Sequence, residues 1–183
     1  MTSYVVVVPG APALLPAYRS HIDPVAELRA ACHEAVAWLA ERSSSRVAVS
    51  VDPSAGSRAM SVATSLLAEV GFDGDVISAD ATDGSEGRLI VANGSARRGE
   101  KAPGHLDPRS FDFDELIEAA LAKGDAGALG ELDLALGDEL LVEGLEGVRS
   151  LASLGQAQVS PRTLYAGDPF GVRYWVVTWE CVS

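Results

Sequence analysis

Tyr4-Val5-Val6-Val7-Val8-Pro9 is an unbroken apolar run. A strand with one wet face alternates apolar and polar residues. A run that is apolar at every position belongs to a strand covered on both faces, as in parallel sheets flanked by helices. The neighbouring segments follow the same plan. Pro9, Gly10, Pro12 and Pro16 keep the chain irregular, then Asp23 as N-cap and Pro24 at the first helical position open a helix. Val25, Leu28, Cys32, Ala35, Val36 and Leu39 give that helix one apolar face. Arg46–Val51 reads as a second strand, and Ser57–Val70 as a second helix that Gly71 stops. Asp75–Ala79 reads as a short strand, residues 80–87 as a polar, turn-rich segment, and Arg88–Ala92 as an apolar strand ending at Asn93-Gly94-Ser95.

Beyond a loop over Ser95–Ser110, the spacing predicts helices over Phe113–Lys123, Leu129–Leu136 and Asp138–Leu154. Gly144 and Gly147 weaken the last by about 1 kcal/mol each relative to Ala. Arg162–Ala166 and Val172–Glu180 read as strands joined by the hairpin turn Gly167-Asp168-Pro169-Phe170-Gly171. The expected fold class is α/β: a mostly parallel central sheet with helices on both faces and a C-terminal antiparallel hairpin. At 183 residues the chain is expected to form a single domain over 1–183.

A net charge of −12 argues against nucleic acid and against an anionic membrane surface, both of which need a basic face. No apolar stretch approaches the ~20 residues that cross a bilayer, and Val5–Val8 is too short for a signal-peptide core. These features lead us to expect a cytoplasmic protein. Cys32 and Cys181 form no metal knuckle or disulfide framework, and Cys32 sits among Ala30, Ala31, Ala35 and Val36 as a small hydrophobe.

Several segments, in order, carry a family resemblance. They are Ile90–Asp107 (IVANGSARRGEKAPGHLD), Phe111-Asp112-Phe113-Asp114, Lys123-Gly124-Asp125, Glu143–Leu151, and Asp168-Pro169-Phe170-Gly171-Val172-Arg173-Tyr174. Together they resemble the class III extradiol dioxygenases and their Memo-like relatives, and more closely a small bacterial branch of that superfamily. The resemblance covers most of the chain after residue 88. It implies an extradiol dioxygenase-like fold and a non-haem Fe(II) centre that opens catechol rings with dioxygen. Such a centre needs two neutral imidazoles and a carboxylate on one face of the metal, with open positions for substrate and oxygen.

This chain departs from that pattern where the chemistry is concentrated. The resemblance places the first ligand histidine after the first strand, where the chain reads Pro9-Gly10-Ala11-Pro12. It places the second after the second strand, where Val51-Asp52-Pro53-Ser54 offers only the carboxylate of Asp52. Glu146 is the expected counterpart of the third ligand, and Ala96 stands where a catalytic histidine is implied. His21, His33 and His105 lie elsewhere, His21 being the one placed to reach the strand ends. The expectation is therefore no cofactor, with Asp52 and Glu146 as a residual pair suited at most to weak binding of a hard cation. Fe(II) held by rearranged ligands is the alternative.

Asn93, Gly94, Ser95, Arg97, Arg98, Lys101 and His105 remain as candidate ligand-binding residues. They follow a strand end, where open α/β sheets bind ligands. Ser95 would donate a hydroxyl, Gly94 would admit a ligand to the backbone, and Arg97 and Arg98 would grip a small anion or aromatic acid. The competing reading pairs these cations with Glu100, Asp107, Asp112 and Asp114. Glu143, Glu146 and Arg149 share a helix face if Asp138–Leu154 is one helix. Trp175 and Trp179 share a strand face, either as core or as an interface that would make the protein a homo-oligomer. Three functional readings follow: a non-catalytic binding protein, a dioxygenase with rearranged ligands, and a metal-independent enzyme using Ser95 and Arg97.

Overall fold

The computed structural model describes residues 1–18, 22–43, 45–79 and 87–183. Six strands form one mixed sheet: β1 (Thr2–Val8), β2 (Arg46–Ser50), β3 (Asp75–Ser78), β4 (Gly87–Val91), β5 (Gln158–Gly167) and β6 (Tyr174–Val182). Their order is β3-β2-β4-β1-β6-β5. The first four run parallel, and β6 pairs antiparallel with both β1 and β5. The α/β class and the C-terminal hairpin follow the expectation.

The valine run is buried on both faces, as its lack of alternation implied. Val6 and Val8 pack with α1 (Ala26–Arg42) and α2 (Ser57–Glu69), against Leu28, Cys32, Val36, Leu39, Val62 and Leu66. Val5 and Val7 pack on the opposite face with α3 (Arg109–Lys123), against Phe113, Ile117 and Leu121. Trp175 and Trp179 face the α3 side and are each 1% exposed, so the aromatic pair is core and leaves no exposed platform for contact with a second copy. Trp179 Nε1 donates to the Leu121 carbonyl at 2.8 Å, satisfying its one polar group.

Two helical expectations are corrected. Asp138–Leu154 is not one helix but the end of α5 (Leu134–Glu139), an irregular crossing, α6 (Leu145–Arg149) and a 3₁₀ turn over Ser150–Leu154. Leu141 (φ 58°) and Gly144 (φ 74°) are left-handed, which a continuing α-helix forbids. The intervening backbone bonds the loop after β4 instead: Asn93 N donates to Glu143 O at 3.0 Å and Ala96 N to Leu140 O at 3.1 Å. Likewise Leu129–Leu136 is divided between α4 (Ala126–Gly130) and α5, each capped by its own aspartate, Asp125 and Asp133. Glu143 and Glu146 therefore share no helix face, and Arg149 donates to the Gly130 carbonyl, not to either glutamate. The turn-rich segment read over 80–87 lies outside the described residues except for Gly87, as does His21.

Candidate functional site

β1 and β4 are parallel neighbours whose following helices pack on opposite faces, α1 on one and α3 on the other. The same holds for β2 and β4. Connections that part in this way leave a crevice at the carboxyl ends of the strands, where open α/β sheets bind ligands. Here a cleft of about 520 Å³ opens around the end of β4, lined by Gly10, Asp52, Arg58, Asn93, Glu143 and Tyr174 together with apolar side chains including Leu141 and Val172.

Hydrogen bonds hold the rim. Gly10 N donates to Asn93 Oδ1 at 2.8 Å, tying the ends of β1 and β4. Arg58, in the first turn of α2, reaches Glu143 Oε1 at 2.6 Å and also contacts Oε2. Asn93 Nδ2 donates to Glu143 Oε2 at 3.3 Å. Asp52 Oδ2 accepts from Gly144 N at 3.0 Å and Oδ1 from Ser54 N at 2.8 Å. Partial burial pushes the Asp52 carboxyl up, but the bonds from Ser54 and Gly144 outweigh it and hold it below its usual 3.8. The left-handed backbone of Gly144 is required at this crossing, since a Cβ there would collide with the Val91 carbonyl. Tyr174 is buried beside the ion pair. Desolvation and the Glu143 charge raise its pKa, with Arg58 opposing, so its hydroxyl keeps its proton. Among the described residues that hydroxyl has no hydrogen-bond partner and is free to donate into the cleft.

The residues at this position do not fit a facial-triad iron. A Cβ at Gly10 would lie 3.2 Å from Val91 and 3.9 Å from both Ala59 and Glu143 Oε2, and Gly10 lines the cleft, so the first implied ligand position does abut it. Glycine offers it no donor. Both Asp52 oxygens are engaged by backbone amides, and both Glu143 oxygens by Arg58. Glu143, Asp52 and Asp138 are the carboxylates that line the cleft with Gly10 and Asn93, whereas Glu146 lines only an adjoining groove; Asp52 and Asp138 line both. No imidazole reaches the cleft among the described residues: His33 pairs with Glu69 on the α1–α2 surface, and His105 stands in an exposed loop at φ 57°.

The candidates that follow β4 are divided among separate environments. Asn93 alone of the seven lines the cleft. Gly94 packs under Arg173 and Trp175, whose atoms would lie 2.6 and 2.7 Å from a Cβ, so its lack of a side chain serves packing, not ligand approach. Ser95 is fully buried. Its amide and hydroxyl both donate to Asp114, at 2.8 and 2.6 Å. Arg98 lies between Asp114 (3.1 Å) and Asp168 (2.7 Å) and over the Phe111 ring. Arg97 donates to the Glu139 carbonyl at 2.9 Å, and Lys101 and His105 are exposed. Arg109 pairs with Asp107 and Glu139, and its guanidinium and amide bring Asp107 down to about 2. Pairing with acidic neighbours thus accounts for Arg98 and Arg109.

Arg58, Glu143 and Tyr174 line the cleft, and none of them stands out in the sequence as a ligand contact. Arg58 carries a usable signal, because the first turn of a helix following a parallel strand sits at the strand-end crevice. Glu143 is concealed by the helix expected over Asp138–Leu154. Tyr174 reads only as the far face of a tryptophan-bearing strand. No protein-family model matches the chain, and no match was found among curated proteins.

Proposed function

We propose that the chain is a non-catalytic, small-molecule-binding protein on an extradiol dioxygenase-like scaffold. Its ligand, a small anionic or aromatic acid, would sit in the strand-end cleft against Arg58, Asn93 and Tyr174. The observation that carries this reading is the Arg58–Glu143 pair, which lines the strand-end cleft together with Gly10 and Asn93. A guanidinium held by a glutamate can exchange that partner for an incoming carboxylate with matching fork geometry. Asn93 Nδ2 and the Tyr174 hydroxyl add donors from the end of β4 and from β6, while Leu141 and Val172 supply apolar walls for a ring. The sheet positions these groups, and the Gly10–Asn93 and Asp52–Gly144 hydrogen bonds fix the loops that carry them.

The test is a ¹H–¹⁵N NMR titration with benzoate and 4-hydroxybenzoate. The expected result is saturable shifts confined to Gly10, Asn93, Ala96 and Tyr174, lost in Arg58→Ala. Absence of shifts at the strand ends, or equal shifts in the variant, overturns the reading.

A further inference from the structure

Beside the cleft, on the face of the sheet that carries α3–α6, a second cavity of about 610 Å³ runs over β2 and β4. It is not needed for the reading above. Its floor holds an arginine in an unusual place. β4 is an interior strand, and Arg88 shares a face with Ile90, which belongs to the apolar core there. Its register partners are Val5 on β1 and Ala48 on β2, both buried.

Arg88 is half-buried and has no acidic partner among the described residues. Among the described arginines, all but Arg46 and Arg88 make an ion pair or a side-chain hydrogen bond. Arg46 is exposed, so water serves it. Arg88 thus stands on an apolar floor unpaired, in a chain with 26 acidic and 14 basic residues. An ionised group that is partly desolvated and unpaired is costly, and a guanidinium fork matches a carboxylate. Two further carboxylates, Asp138 and Glu146, line the same cavity and are exposed. Neither has an ion-pair partner among the described residues. Ser50, two residues beyond Ala48 on β2, adds a hydroxyl near the strand end.

We propose that this groove binds a small zwitterion, with its carboxylate on Arg88 and its amine toward Asp138 and Glu146. A dianionic phosphate is disfavoured, because Asp52, Asp138 and Glu146 leave the groove net negative around a single guanidinium. A neutral ligand would leave Arg88 unsatisfied. A zwitterion matches both ends and rests its carbon chain on Ala48 and Ile90.

Three six-carbon probes separate the contributions: 6-aminohexanoate, hexanoate and adipate, measured by calorimetry. 6-Aminohexanoate is expected to bind best, hexanoate about fivefold more weakly because the acidic end is solvent-exposed, and adipate more weakly still. Arg88→Met is expected to lower affinity at least about tenfold while melting no lower than wild type, since it removes an unpaired charge from an apolar floor. The double variant D138N/E146Q is expected to bind 6-aminohexanoate and hexanoate equally. Arg58→Ala, in the neighbouring cleft, should leave the groove's affinity unchanged. Wild-type affinity in Arg88→Met, tightest binding by adipate, binding by none of the probes, or an equal loss in Arg58→Ala would each overturn the proposal.

Discussion

Asp114→Ala is expected to cost more stability than any conservative change near the cleft. Asp114 is 1% exposed and holds three donors: Ser95 N at 2.8 Å, Ser95 Oγ at 2.6 Å and Arg98 at 3.1 Å. Alanine leaves both Ser95 donors buried without an acceptor and removes one of the two carboxylates holding Arg98. Breaking such a buried charged network costs about 3–5 kcal/mol. For a chain of this length that is a fall of roughly 6–20 °C in melting temperature. Asp114→Asn is the control. Its amide can still accept from Ser95 N and donate to Ser95 Oγ; the Arg98 contact is lost but so is the cost of the buried charge, so this variant should stay within about 1 kcal/mol of wild type. Burial pushes the Asp114 carboxyl above its usual 3.8, against the pull of Ser95 and Arg98. An acid raised in the folded state is destabilising once ionised, because the unfolded chain releases the proton at lower pH. Wild type should therefore gain from this residue as pH falls through the raised value toward 3.8, and Asp114→Asn should lack that gain. Urea denaturation of the three proteins across this range is the assay. An Asp114→Ala protein within about 1 kcal/mol of wild type would refute the account of how the segment after β4 is anchored.

Other outcomes follow from single contacts. Gly144→Ala should lose about 2–4 kcal/mol, measured by the urea midpoint, because it adds a Cβ against the Val91 carbonyl at a left-handed φ of 74°. The Gly144 amide should titrate with Asp52 by NMR at a midpoint below 3.8, since the depressed acid keeps its bond until pH falls through its folded value. A midpoint above 3.8 would contradict the hydrogen bond. Cys32, pushed to about 12 by burial, and Cys181, also raised by burial, should resist thiol reagents at pH 8 in the native protein and react after denaturation.

The architecture was legible where periodicity is decided by burial. The valine run, the face of α1 and the terminal hairpin all followed from residues that must leave water. The segment from Asp138 to Leu154 was not legible, because its helical spacing competes with tertiary hydrogen bonds. The amides of Asn93, Ala96 and Gly144 all find their acceptors through the crossing at 140–144, and no local propensity encodes that pairing. The cluster of basic residues after β4 stands out for its charge. Charge alone does not distinguish a guanidinium aimed at a ligand from one locked between Asp114 and Asp168, as Arg98 is. Arg58 and Arg88 are each lone cations in their stretch of sequence, and only the sheet brings them beside cavities.

Under the proposed function the strand-end cleft holds no iron, because Gly10 offers no donor, backbone amides engage Asp52 and Arg58 engages Glu143. Anaerobic titration with Fe(II), followed by oxygen-uptake measurement on catechol and protocatechuate, tests it most directly. The account predicts no stoichiometric iron binding and no substrate-dependent oxygen consumption. One tightly held iron per chain with catechol-dependent oxygen uptake would contradict it.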